Sequence, residues 1–160
     1  MATFNVTIAD DPGTNSAGTT GAAGTLSWAL AQANASPGPH TIDIQVDVAL
    51  AGPLSPIFNS VTIEGNGHTI DAGGTTRIFM VGVDLATMND SRWAGSIIAE
   101  RPQVAINDLT LANGLAQGGN GVGGAGGGLG AGGALFVNPS ADVTLMYGPA
   151  VRCKRLPRPG

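Results

Sequence analysis

Four residues near the middle of the chain carry side chains suited to acid–base work: Glu64, His68, Asp71 and Asp108. Two carboxyl groups facing one substrate can divide a reaction, one giving a proton while the other takes one or attacks. Arg77 follows Asp71 closely enough to join them. Each residue also has a simpler role. Asp at a chain corner bonds its own backbone, which accounts for Asp71 and Asp108, while Glu64 and His68 read as solvated strand positions. The simpler roles are the ones expected here, and catalysis by Asp71, Asp108, Glu64 and His68 stands as the alternative. The second histidine, His40, lies beside Pro39 in a predicted turn, so His68 is the better general-base candidate. A Ser–His–Asp hydrolase needs a serine on a sharp turn, usually G-x-S-x-G. No serine has that setting, which leaves an esterase as a third reading.

The remaining motifs weaken on inspection. Positions 118–133 hold eleven glycines among sixteen residues and match G-x-G-x-x-G at Gly121 to Gly126 and at Gly128 to Gly133. Neither match opens a helix, so a dinucleotide site is not expected. Gly118-Gly119-Asn120-Gly121 lacks the Asp that a Ca²⁺-binding nonapeptide requires. Two histidines and one cysteine, far apart, match no metal-ligand spacing, and no metal or other cofactor is expected. Trp93 with Arg92 is a candidate contact for a partner or ligand, because an exposed indole stacks on sugars and anchors interfaces. The alternative folds Trp93 back over the flank of the domain.

The elements that must position these residues are short strands. Val61-Thr62-Ile63, Val104-Ala105-Ile106 and Val143-Thr144-Leu145 repeat one alternating apolar triplet, with Gly- and Asn-rich bends between the copies. Such strands returning in similar settings predict a chain that coils on itself as a parallel solenoid. Further strands are expected at Thr3 to Ile8, Thr41 to Val48, His68 to Ile70, Arg77 to Val81, Leu109 to Leu111 and Ala134 to Val137. Thr25 is placed to N-cap a short helix whose Leu26, Ala29, Leu30 and Ala33 share one side. That helix would cover the first coil. Inward positions should include Val61, Ile63, Ile70, Val104, Ile106, Leu109, Leu111, Val143 and Leu145.

Gly24-Thr25-Leu26-Ser27-Trp28-Ala29-Leu30-Ala31-Gln32-Ala33-Asn34, then Pro37-Gly38 and Thr41-Ile42-Asp43-Ile44, resembles the N-terminal cap of bacterial β-helix surface proteins. Val61 to Asp71 and Ile106 to Leu111 resemble their first coils. The family is the pectate-lyase-like right-handed parallel β-helix, in the form found in passenger domains of autotransporter and polymorphic outer-membrane proteins. The resemblance covers roughly Phe4 to Leu145 and implies an all-β, right-handed parallel β-helix of about three to four coils with an N-terminal strand and short helix cap. It implies little about activity, since such passengers serve several roles. Enzymes of this architecture that cleave acidic polysaccharides use clustered Asp, or Ca²⁺ with an Arg or Lys base, on an outward strand face. The sequence departs from the family in being far shorter and in lacking a translocator barrel, which points to a fragment.

Composition agrees with this architecture. Only 11% of residues are charged, against about a quarter in ordinary globular domains, and 26 are glycine. The formal net charge of −4 argues against a nucleic-acid groove. No stretch approaches the roughly 20 apolar residues of a membrane span. Met1 to Asp10 lacks the apolar region of a signal peptide, so export would depend on a segment outside this sequence. Arg152, Lys154, Arg155 and Arg158 crowd the last ten residues, an abrupt shift that reads as a vector-derived or out-of-frame tail, or as a natural basic terminus.

The expected organisation is one domain over 1–150, with a cap at 1–40, coils at 41–150, insertions at 84–102 and 118–133, and the tail at 151–160. The expected function is a non-catalytic structural or adhesive part of a secreted or bacterial cell-surface protein. Self-association as a homodimer through the open end of the coils is expected, and Cys153 could add an intermolecular disulfide. A polysaccharide or host-surface ligand is the expected partner class. The alternative is a carbohydrate-active lyase or hydrolase.

Overall fold

In the computed structural model of the chain, residues 1–82, 101–116 and 132–146 are described. The segments 83–100, 117–131 and 147–160, which hold Arg92, Trp93 and Cys153, lie outside the described residues. The described part is mostly β, with one short helix near the N-terminus. In chain order the elements are β1 (Thr3–Val6), β2 (Asp10–Asp11), α1 (Leu26–Ala35), β3 (His40–Ile44), β4 (Val48–Leu50), β5 (Val61–Glu64), β6 (Thr69–Asp71), β7 (Phe79–Val81), β8 (Gln103–Asn107), β9 (Thr110–Ala112), β10 (Leu135–Val137) and β11 (Asp142–Met146).

The strands form three sheets in which every neighbouring pair is parallel. One has the order β1-β3-β5-β8-β11, a second β2-β4-β6-β9, and a third pairs β10 with β7. From β5 onward the chain visits the five-stranded, four-stranded and two-stranded sheets in turn, then repeats the circuit before ending in β11. The alternating triplets fall in register: Val61 opposite Val104 and Val104 opposite Val143, with Ile63, Ile106 and Leu145 in the matching positions. A shift of one residue would turn every aliphatic side chain to the other face, so the alternation fixes the register.

The core runs between the sheets. Ile42, Ile44, Ile63, Ile70, Phe79 and Val81 are fully buried, and Val61, Val104 and Ile106 nearly so. Leu109 is buried, whereas Leu111 and Val143 are only partly buried and pack against the core from its margin. Leu145, expected to point inward, is 46% exposed because no described strand follows β11 to cover it.

α1 forms from LSWALAQANA, rich in Ala and Leu and free of Gly and Pro. Thr25 caps it, its hydroxyl accepting the Trp28 N–H at 3.3 Å. Leu26, Ala29, Leu30 and Ala33 are buried as the spacing predicts. Trp28 packs edge-on against Phe4 of β1 with ring centroids 6.0 Å apart. Asn34 fastens the helix to the segment before β5: its amide donates to the Pro56 carbonyl at 2.9 Å and its oxygen accepts the Phe58 N–H at 3.0 Å.

Bends between sheets use left-handed backbone at Asn66, Asp108 and Asn113, with φ of 53°, 46° and 53°. Asn and Asp tolerate that region because their short side chains bond locally. Gly65 needs its missing side chain for a different reason: a Cβ there would run into the Asp108 carbonyl and Leu109 on the next strand level.

Candidate functional site

Because alternate residues of the five-stranded sheet face inward, the others form an outward surface, and the register stacks them in columns. Thr3, Thr41, Thr62, Ala105 and Thr144 form one column. Asn5, Asp43, Glu64, Asn107 and Met146 form the next. A shallow cavity of about 590 Å³ opens over this surface, lined by Pro39, Ser60, Thr62, Gln103, Ala105, Thr144 and Asp142 among others. Ala105 leaves a notch between the hydroxyl-bearing Thr62 and Thr144. Hydroxyls, one amide and one carboxylate over a mostly neutral floor are groups that hydrogen-bond a sugar's hydroxyls.

The cavity's edge is held by a fork of two bonds, Arg101 Nε to Asp142 Oδ2 at 2.6 Å and Nη2 to Oδ1 at 2.8 Å. The guanidinium holds the Asp142 carboxyl below its ordinary range, and the carboxylate raises the Arg101 pKa in return. The fork orients both groups.

Of the carboxylates singled out in the sequence, Glu64 and Asp71 are each engaged by a different partner, and Asp108 is placed by its backbone. Glu64 ends β5, and its Oε1 accepts the Asn107 amide at 2.9 Å. Asp71 ends β6 on a different sheet, where its Oδ1 accepts the Asn113 amide at 3.0 Å and the Gly73 N–H at 2.7 Å. Those two bonds, Asn113 foremost, hold its carboxyl below the ordinary range. Asp108 occupies a left-handed bend, its carbonyl accepting the Gly67 N–H at 2.8 Å. His68 lies one residue before β6 and bonds Asp47, Nδ1 to Oδ1 at 3.1 Å. Arg77 turns to the two-stranded sheet, donating to the Gly132 carbonyl at 2.9 Å and lying 5.0 Å over the Phe136 ring.

Two carboxylates that the sequence did not single out are also engaged, Asp43 in the second column and Asp47 in the bend between β3 and β4. Asp47 accepts both the Thr69 N–H and His68, and the backbone bond does most to lower its pKa. Asp43 accepts Gln45 and Asn66, which lower its carboxyl against a small opposing effect of burial. Carboxyls held this way are ionised at neutral pH and serve as hydrogen-bond acceptors; a general acid needs the opposite shift. The only sequence cue to Asp43 and Asp47 is their position on the outward side of Thr41 to Val48. Among the described residues no group of three His, Cys, Asp or Glu side chains is placed to hold a metal ion.

Comparison with family models, with curated proteins and with solved structures finds no match to the chain.

Proposed function

We propose that the chain winds as a right-handed parallel β-helix and serves as a non-catalytic structural or adhesive part of a secreted or bacterial cell-surface protein. The observation that carries this reading is the recurrence of sheet membership along the chain, with Val61, Val104 and Val143 stacked in register. A unit that adds one strand to each sheet per turn grows by repetition and offers a long regular face. The ligand it fits is an extended polysaccharide laid across the outward threonine column. The same stack joins to a second copy at the end formed by β11.

Separate engagement of Glu64, Asp71 and His68 supports a non-catalytic role over a lyase or hydrolase built on Asp71, Asp108, Glu64 and His68. The test is incubation with pectin, polygalacturonate and simple esters, alongside binding to the same polysaccharides immobilised on a surface. The expected result is binding without turnover, weakened in Thr62→Arg. Turnover that disappears in Asp108→Ala or His68→Ala would establish the enzyme instead.

A further inference from the structure

We infer that β11 is a self-complementary edge on which a second copy of the chain pairs in antiparallel fashion about a two-fold axis at Thr144. This inference rests on the end-to-end contact proposed above and gives it a register.

The two ends of the strand stack differ. At the β1 end, α1 buries Leu26, Ala29, Leu30 and Ala33 against the core. At the other end Leu115, Val137, Leu145 and Met146 are 42%, 38%, 46% and 60% exposed, which is four of the six large apolar residues exposed among the described residues. Leu145 and Met146 line a cavity of about 370 Å³ whose walls include Ile106, Leu109, Leu111 and Leu135. An apolar surface gathered at one end of an otherwise polar exterior marks a contact.

The backbone of β11 says which contact. Asp142 donates its N–H to the Pro102 carbonyl at 3.0 Å, and the Met146 carbonyl accepts the Asp108 N–H at 2.8 Å, so the even-numbered residues of β11 bond toward β8. Alternation then directs the N–H and C=O of Val143 and Leu145 to the outer edge, where no partner strand lies among the described residues. With a two-fold at Thr144, Val143 of one copy falls opposite Leu145 of the other, and the reverse. These become the hydrogen-bonded pairs of an antiparallel ladder, each exchanging both bonds. Their side chains lie on the core face, so the apolar interior continues across the seam. Asp142 brings no uncompensated charge, because Arg101 already neutralises it. The sequence after Met146 is a poorer cover: it carries Arg152, Lys154, Arg155 and Arg158, and Pro149, Pro157 and Pro159 cannot donate to a ladder. Isologous pairing closes the assembly at two copies.

The experiment measures mass by light scattering under reducing conditions across a concentration series, then repeats it in two variants. Leu145→Pro removes an edge donor that the β8 ladder does not use, and should raise the dimer dissociation constant at least tenfold with an unchanged circular dichroism spectrum. Thr144→Cys in a Cys153→Ser background should form a covalent dimer on oxidation, since opposed residues in a non-hydrogen-bonded antiparallel pair lie about 4.5 Å apart at Cα. The Thr62→Cys, Cys153→Ser control should not. A parent that stays a monomer at every concentration overturns self-association altogether. A dimer in which Thr144→Cys fails to cross-link overturns the β11 register and leaves the end-to-end reading standing on another contact.

Discussion

The Asp11 carboxylate reaches across sixteen residues to accept the Ser27 N–H at 2.6 Å, and both residues are buried. Its other oxygen accepts the Gly13 N–H at 2.8 Å. Ser27 lies in the first turn of α1, where backbone N–H groups have no partner inside the helix and where negative charge is favoured. Asp11 therefore ties β2 to the start of the cap helix. Asp11→Ala should lower stability by about 1–3 kcal/mol, the usual result of leaving a buried donor unmade. Urea unfolding gives the value, and a midpoint equal to that of the parent would deny the tie its role.

Ile63 is fully buried between Ile42 and Ile106 on adjacent strands. Ile63→Ala should destabilise the fold by about 2–5 kcal/mol, combining lost transfer energy with the cavity left behind. Ile106→Asp goes further, placing an unpaired charge in the same stack, and should leave the chain unfolded by circular dichroism.

Gly65→Ala should be destabilising by about 1–3 kcal/mol, although alanine adds only a methyl group. The new Cβ would meet the Asp108 backbone and Leu109, which cannot swing aside as a flexible side chain would. Gly73→Ala provides the contrast: nothing lies within 4 Å of its Cβ position, and only its φ of 61° opposes the change. Thermal midpoints should rank the parent first, Gly73→Ala second and Gly65→Ala last.

Acid should weaken the fold. Asp43, Asp47, Asp71 and Asp142 all have carboxyls held below their ordinary range by hydrogen bonds in the folded chain. The unfolded chain then binds protons more readily, so this contribution is complete above the ordinary carboxylate value of about 3.9 and disappears as pH falls through the folded values. Urea midpoints should fall between pH 5 and pH 2.5. Asp71→Asn should flatten that dependence, and an Asp71→Asn profile as steep as the parent's would remove this carboxylate from the cause.

The strands were legible wherever side chains alternate over a half-buried sheet. Val61, Val104 and Val143 marked three levels of one sheet because inward positions must be aliphatic on every level. β2 escaped notice because two aspartates show no apolar period, and Asp11 is buried through hydrogen bonds that no hydropathy pattern records. His40 read as a turn residue beside Pro39; it opens β3, buried, with its Nδ1 accepting the Ala2 N–H at 3.2 Å and its Nε2 facing Ser36. The outward columns were only half legible. Strand alternation placed Glu64 on the solvent side, but its partnership with Asn107 depends on register between segments 43 residues apart.

α1 seats on one end of the strand stack and has no counterpart at β11 among the described residues. In an array where each level touches only its neighbours, protection is inherited from the sealed side and decays with distance from it. In the monomer, at concentrations below the dimer's dissociation constant, amide exchange should therefore report a gradient: slowest through β3 and β5, faster in β8, and fastest in β11, so that the single chain unzips from one direction as a frayed rope does.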